Sequence, residues 1–264
     1  MSEIGKELRL KRIFRDDGRT LIVPMEAGPL DSWVQCARDV IAGGADAIMT
    51  TYGLLRKYHN EIAGKIPLVF SSSPTDGIEY VHQAVKLGGD ALKISWWLPL
   101  RDMPVKYISE LAFECKEWGI PFIFEPMPMS APGYYAPGYS SFSGLSEGEK
   151  TPVQIYEPVI IRKVVELGTI VGADAVKATY TGATETFKKV VKDIPIPVII
   201  AGGPQLPTDR QTLEEIKGAM NAGAAGGAIG RNLTQNKNRL GMTKAIVKII
   251  HEDASVDEAL KELE

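Results

Sequence analysis

The sequence predicts an α/β protein that forms a single (β/α)8 TIM barrel over residues 1–264, and three observations support this. Short apolar segments alternate with amphipathic segments of helical period along the chain, which is typical of parallel βαβ units. Eight such units fit 264 residues, since a closed barrel usually takes about 250. A glycine-containing phrase also recurs before alternate strands. The alternative is a doubly wound open sheet, which usually has fewer strands; no G-x-G-x-x-G follows the first strand.

The eight strands are predicted from short apolar runs, most of which begin just after glycine or at proline. In chain order they are Thr20–Met25, Ala45–Thr50, Pro67–Ser71, Asp90–Ser95, Pro121–Glu125, Asp174–Thr179, Pro197–Ala201 and Gly226–Gly230. Helices are predicted between them where apolar residues recur with helical period. Examples are Asp31–Ala42, Asp76–Leu87, Lys106–Trp118, Glu157–Leu167, Thr184–Val191 and Leu213–Ala222.

The recurring phrase falls before the second, fourth, sixth and eighth strands. It begins at Gly43, Gly88 and Gly172, and in a looser form at Gly223; each copy closes a helix with glycine and opens a strand. The phrase places Met49, Lys93, Lys177 and Gly230 at equivalent strand positions. Because side chains alternate along a strand, Lys93 is expected to point into the barrel if Lys177 does.

Composition excludes several classes of function. The net charge of -3 offers no broad basic face for nucleic acid. Cys36 and Cys115 lie in helical patterns and are expected to be buried free thiols, which fits an intracellular setting. The polar N-terminus is unlike a signal peptide, and no apolar run is long enough to span a membrane. We therefore expect a cytoplasmic protein.

Lys177 lies in an apolar run of β propensity that a Thr-Gly turn follows. A lysine inside a buried strand is costly, because its ammonium loses hydration. Either Lys177 ends the strand and reaches solvent through its stem, or it lies in a pocket as an amine nucleophile.

Two lysines and two carboxylates are expected at the carboxyl ends of the strands: Glu26, Lys93, Glu125 and Lys177. A Schiff-base enzyme needs such a set, because its amine must lose a proton near neutral pH, which burial and a nearby cation favour. It also needs a carboxylic acid that moves protons as the carbinolamine forms and dehydrates. Alternatively, Glu125 only neutralises a barrel lysine, as buried charges require; both roles can coexist.

Glycine ends the last two strands, with Gly202 and Gly203 directly after the seventh and Gly230 as the last residue of the eighth. In barrels the loops after these two strands often form a phosphate site from backbone N–H groups at a short helix. Arg231 would add a bidentate anion contact. The alternative is two tight turns with Arg231 in a structural salt bridge.

The remaining features are less specific. The segment from Ser130 to about Pro152 breaks the alternation and is tyrosine-rich, so this long loop after strand 5 could be a lid carrying Tyr134, Tyr135 or Tyr139, a subunit contact or a mobile surface loop. His59 is predicted in a charged turn, with His82 and His251 in helices, and no pair has the spacing of metal ligands.

Three phrases resemble the archaeal-type class I fructose-bisphosphate aldolases of the DeoC, FbaB and LacD group, whose relatives include aminodideoxyheptulosonate synthase and the thiolase LsrF. They are A-D-A-V-K-x-x-Y-T-G at 173–182, V-I-I-A-G-G-P at 198–204 and G-R-N-L-T-Q at 230–235. The resemblance spans nearly the whole chain. It implies a (β/α)8 barrel with a lysine Schiff base at Lys177, no metal or other cofactor, and phosphate binding at Gly202, Gly203, Gly230 and Arg231.

The chain departs from that family at two strand ends. Glu26 stands where an Asp-His-Gly supplies an aspartate, and Met127-Pro128-Met129 replaces a Tyr-Pro-Arg that carries the acid/base tyrosine. Lys93 and Glu125 instead resemble the lysine and glutamate of the tagatose-bisphosphate and sulfosugar-phosphate aldolases. Glu125, or else Glu26, would then move the protons, and Lys93 would tune Lys177 or hold a substrate oxygen.

We therefore predict a metal-independent class I aldolase that acts on a phosphorylated ketose, such as fructose 1,6-bisphosphate or a related sugar phosphate. One alternative is a Schiff-base transaldolase or thiolase-type transfer, and another is a non-catalytic phosphosugar-binding paralogue. Family habit suggests a homo-oligomer, whereas nucleic-acid and membrane partners are not expected.

Overall fold

The computed structural model describes residues 2–26, 30–72, 77–96, 104–128 and 155–264. Eight parallel strands pair in chain order and close into a barrel, with β8 beside β1, so the predicted fold class is confirmed. The strands are β1 Thr20–Pro24, β2 Ala47–Thr50, β3 Leu68–Ser72, β4 Ala91–Trp96, β5 Phe122–Pro126, β6 Ala175–Thr179, β7 Val198–Ala201 and β8 Gly226–Ala228.

Helices surround the barrel in the described part of the chain. They are α1 Ser2–Ile13, α2 Trp33–Ala42, α3 Tyr52–Ile62, α4 Glu79–Lys86, α5 Val105–Glu117, α6 Pro158–Ile170, α7 Thr184–Val191, α8 Asp209–Asn221, α9 Arg231–Thr234, α10 Arg239–His251 and α11 Val256–Leu260. None of the described helices is both long and apolar enough to cross a bilayer. The thiols of Cys36 and Cys115 are buried and free, as predicted.

No helix was predicted from the sequence at α1, α3 or α11. His59 therefore lies in a helix, and its prediction in a charged turn was wrong. In α3 the buried side chains are Leu55 and Ile62, and Leu54 and Tyr58 also pack against the core, but the charged and polar residues between them led to the prediction of a charged turn. In α1 only Ile13 is buried, and so few apolar positions give a weak helical pattern.

The barrel interior changes character from floor to mouth. Near the floor it is apolar: Ile13 and Phe14 pack against a cluster of strand residues that includes Ile22, Met49 and Ile123. Farther along the same strands the inward positions become charged, with Lys93 in β4, Glu125 in β5 and Lys177 in β6. Each of these three residues comes two positions after a residue of the apolar layer. Because side chains alternate along a strand, all three therefore point into the barrel as well.

The recurring phrase proves to be a structural unit of the barrel floor. Its glycines Gly44, Gly88, Gly172 and Gly223 all have φ between +77° and +102°, a conformation that glycine adopts at little cost. Counting on from these glycines aligns Ala228 with Lys177, so Gly230 lies two residues beyond the position predicted for it.

Aspartates of this phrase hold the floor together. Asp46, Asp90 and Asp174 each accept a hydrogen bond from a backbone N–H of the preceding strand, at 2.6, 3.0 and 2.8 Å. Each also forms an ion pair with a basic side chain from α1 or the turn after it, namely Arg15, Arg12 and Lys6. The three aspartates thus fasten α1 beneath the barrel.

Candidate active site

The structure brings Glu26, Lys93, Glu125 and Lys177 together at the carboxyl-end mouth of the barrel. Register places Ser95 of β4 beside Glu125 of β5. The Lys93, Glu125 and Lys177 residues are 2%, 2% and 6% exposed, whereas the side chain of Glu26 is 26% exposed. The four predicted residues therefore form one cluster, with Glu26 on its solvent side.

Lys93 is held by three oxygen acceptors. Its Nζ lies 2.9 Å from Oε1 of Glu26, 3.1 Å from Oε2 of Glu125 and 2.8 Å from Oγ of Ser95. An ammonium has three N–H donors, so every one of them has a partner. Burial alone would lower the pKa of Lys93, but the two carboxylates outweigh it and raise that pKa above 10.5. Lys93 is a fixed cation.

Glu125 bridges the two lysines. Its Oε1 lies 2.6 Å from Nζ of Lys177, and its Oε2 faces Lys93 and accepts a hydrogen bond from Ser95 at 2.6 Å. Burial by itself would raise the pKa of Glu125, but the positive charges of Lys177 and Lys93 lower it to about 2. The carboxylate is therefore ionised and in contact with the Lys177 amine.

Glu26 approaches the cluster from the end of β1. Partial burial would raise its pKa, but Lys93 and Lys177 lower it, and a hydrogen bond with Ser71 acts in the same direction. Glu26 contacts Lys93, and the ion pair of Lys177 is with Glu125. Of the two carboxylates, Glu125 is the one placed to exchange a proton with Lys177.

The two lysines differ in a way that bears on chemistry. Lys177 is buried and points into the barrel, so it does not reach solvent through its stem. In the described residues its one ion pair is with Glu125, which leaves N–H positions that Lys93 does not have. An amine needs such freedom to attack a carbonyl carbon. The geometry therefore favours Lys177 over Lys93 as a nucleophile.

The two late loops meet beside the mouth. Gly203 has a φ of +62°, and Gly230 is the residue before α9, whose first turn begins at Arg231. The N–H of Gly202 donates to the carbonyl oxygen of Ala228, so this N–H takes part in the pairing of β7 with β8. A Cβ at Gly202 would lie only 3.1 Å from Cα of Ile229, which explains the need for glycine there.

Arg231 is exposed and donates from Nη2 to the carbonyl oxygen of Gly203 at 2.9 Å. It therefore joins the two loops, and among the described residues no carboxylate forms the structural salt bridge that the sequence left open. The rest of its guanidinium is open to solvent at the edge of the loops.

Two supporting residues of the site were not predicted from the sequence. Ser95 was seen at a strand end but given no role, although it links Lys93 to Glu125. Buried Asn232 donates to the carbonyl oxygens of Gly202 and Pro204 at 2.7 and 2.9 Å and accepts from the N–H of Leu206 at 2.8 Å. A signal for Asn232 was its position next to Arg231 in the G-R-N phrase.

The acid/base position after β5 carries no tyrosine. Met127 and Pro128 follow the strand and are buried. Tyr134, Tyr135 and Tyr139 lie outside the described residues, so the proposals of a lid, a subunit contact or a mobile loop stay predictions.

The chain is similar to known aldolases in sequence and in fold. The profile described as DeoC/LacD family aldolase matches residues 13–236. The chain is 32% identical to a 2-amino-3,7-dideoxy-D-threo-hept-6-ulosonate synthase from Halobacterium salinarum, with 98% of this chain and 97% of that protein covered. It is 27% identical to the class 1 fructose-bisphosphate aldolase of Thermoproteus tenax, over 94% and 96% of the two chains.

A solved structure of a Schiff-base-forming fructose-1,6-bisphosphate aldolase superposes with a TM-score of 0.73 at 23% identity. The match covers 94% of this chain and all of that one. At that identity, the likeness shows a shared fold. The resemblance predicted from the three sequence phrases is confirmed by the family profile.

Proposed function

The chain belongs to the DeoC/LacD aldolase family, and we propose that it is a class I aldolase in which Lys177 forms a Schiff base with a phosphorylated ketose. The observation that carries the proposal is the unequal state of the two buried lysines. Lys93 has all three N–H donors engaged, whereas Lys177 contacts the ionised carboxylate of Glu125 at 2.6 Å.

The proposed reaction follows from these contacts. Glu125 takes a proton from Lys177, whose amine attacks the ketone carbon and forms a carbinolamine. Loss of water, assisted by proton return from Glu125, gives an iminium ion. Glu125 then takes the proton of the hydroxyl group on the β carbon, the adjacent C–C bond breaks, and its electron pair moves to the iminium, so that an aldehyde leaves and an enamine remains. Glu125 returns this proton to the enamine carbon, and hydrolysis of the resulting iminium releases the shortened ketone and restores Lys177.

Lys93 keeps the charge of the cluster balanced through these steps. The iminium is a cation in the place of the Lys177 ammonium, so Glu125 and Glu26 face the same number of positive charges before and after it forms. Fixed charges around a developing ion stabilise it without reorganisation. No step requires a metal, and EDTA should leave the cleavage rate unchanged.

The loops of β7 and β8 are the proposed phosphate site. Gly203, Gly230 and the start of α9 would supply N–H groups, Arg231 a cation and Gly202 the close packing. Asn232 would keep the two loops in their relative positions. The expected partner is a small sugar phosphate; the assembly is proposed to be a homo-oligomer and its location the cytoplasm.

A transfer reaction is the second candidate. The Halobacterium salinarum relative is named for synthesis of a hept-6-ulosonate, which favours C–C bond formation on an acceptor. Turnover that depends on an acceptor, with no release of a free three-carbon product, would support transfer over simple cleavage.

The test is borohydride trapping with dihydroxyacetone phosphate, followed by intact mass measurement and peptide mapping. We expect an adduct on Lys177 and a fall of more than about 10³-fold in cleavage rate for Lys177→Met. An adduct on Lys93 would reverse the roles of the lysines. Saturable phosphosugar binding without any adduct would instead support the non-catalytic paralogue.

A further inference from the structure

A second cleft lies on the outside of the barrel, away from the mouth. It is lined by α3, by the turn that leads into β3 and by the C-terminal end of α4, and its volume is about 890 Å³. Small-molecule sites usually have volumes of roughly 300–1,000 Å³. None of the residues proposed for Schiff-base chemistry or phosphate binding lines it.

The lining of this α3–α4 cleft is apolar at its floor. Leu55, Ile62 and Leu68 are buried there, and Ile66 and Leu87 continue the apolar surface toward solvent. Leu87 is 41% exposed. A floor of this kind favours a ligand with an apolar or aromatic body, because burying it removes apolar area from water.

The rim of the cleft is cationic. Arg12, Arg56, Lys65 and Lys86 line it, and the carboxylate among the lining residues is Asp90. Asp90 is already neutralised, since Oδ1 binds Arg12 at 2.9 Å and Oδ2 accepts the N–H of Leu68 at 3.0 Å. The rim therefore carries an excess of positive charge on a protein whose net charge is -3.

Arg12 retains N–H donors that Asp90 does not use. Arg12 gives only Nη1 to Asp90, and 60% of its side chain is exposed. Residues just past the C-terminal ends of α3 and α4 also line the cleft, and each helix end contributes only about half a negative charge. That is too little to balance the four basic side chains.

We propose that the α3–α4 cleft is a binding site for a small organic phosphate with an apolar or aromatic body. Arg56 and Arg12 offer guanidinium groups, which bind phosphate in a bidentate manner. The bounded volume matches a small molecule better than a polymer, whose binding needs an extended basic face.

The test uses phenyl phosphate as the probe, with inorganic phosphate and phenol as partial ligands. Titration calorimetry at fixed ionic strength should show two phenyl phosphate sites on the wild-type chain, the cleft and the proposed phosphate loops. Arg56→Glu should weaken the cleft site at least about tenfold, as expected from loss of a charge-assisted hydrogen bond. Backbone amide shifts should map that site to α3.

A matched control is available in the next residue of the same helix. Lys57 does not line the cleft, and Lys57→Glu makes the same change of charge. If both substitutions weaken binding equally, the effect is general electrostatics and the proposal is wrong. It also fails if phenyl phosphate binds the cleft no more tightly than inorganic phosphate, or if the amide shifts show no site at α3.

A second variant protects the test against a folding defect. Lys86→Glu on α4 should weaken the same site without affecting the site at Arg231. In an Arg231→Glu variant, phenyl phosphate should no longer bind at the Arg231 site but should still bind the cleft. The two sites can then be tested separately, so that failure of the proposed function is distinguished from failure of the cleft proposal.

Discussion

Replacing Glu125 with glutamine tests how strongly the mouth cluster depends on one carboxylate. Glu125 lies between two buried ammonium groups. A glutamine can accept from only one of them, and its amide N–H₂ would face the other. The substitution therefore leaves a buried cation short of its partner, which typically costs about 3–5 kcal/mol of unfolding free energy.

The pKa of Glu125 gives an independent magnitude. A carboxyl pKa that falls from 4.5 to about 2 on folding corresponds to about 3 kcal/mol of stability. Because the folded pKa is the lower one, this contribution is present above pH 4.5 and is lost as pH falls toward 2. More than half of it should be gone by about pH 3.

Urea denaturation of the wild type and of Glu125→Gln at pH 7, 5 and 3 provides the assay. The difference in unfolding free energy should be about 3 kcal/mol at pH 7 and less than half of that at pH 3. Glu117→Gln, at an exposed position of α5, is the control and should stay within about 0.5 kcal/mol. A difference below about 1 kcal/mol at pH 7, or one that does not change with pH, would refute the reasoning.

Three further predictions concern other buried contacts. Lys93→Met should cost about 3–5 kcal/mol in urea denaturation, because two carboxylates lose their shared cation; an unchanged midpoint would contradict the role of Lys93 as a fixed charge. Ser95→Ala should cost about 1–2 kcal/mol and lower kcat, whereas Ser95→Thr should restore both; equal kcat in all three proteins would argue against positioning. His251 binds Asp17 and Asp46 at 2.7 and 2.9 Å; burial opposes its charging, but these hydrogen bonds raise its pKa above 6.5. The contribution of protonated His251 to the free energy of unfolding should be full below pH 6.5 and disappear as pH rises through the pKa of the folded state. An NMR titration of the His251 ring with a midpoint at or below 6.5 would contradict this prediction.

The sequence by itself determined the barrel and the identity of the charged residues in its mouth. Strand–helix alternation is a local pattern, and so is the two-residue alternation of side chains that carries Lys93 and Lys177 inward. The turns at the recurring glycines could also be predicted from the sequence, because the need for a positive φ arises within the turn itself and glycine meets it at little cost.

Only the tertiary structure decided which charged groups touch. Glu26 reaches Lys93 from the other side of the barrel, and Glu125 gives separate oxygens to the two lysines. These distances depend on the closure of the sheet, on the register of the strands and on the rotamers of the side chains. A local sequence pattern predicts none of the three. For the same reason the Asn232 contacts, the fastening of α1 by three aspartates and the α3–α4 cleft could be found only once the strands and helices were assembled.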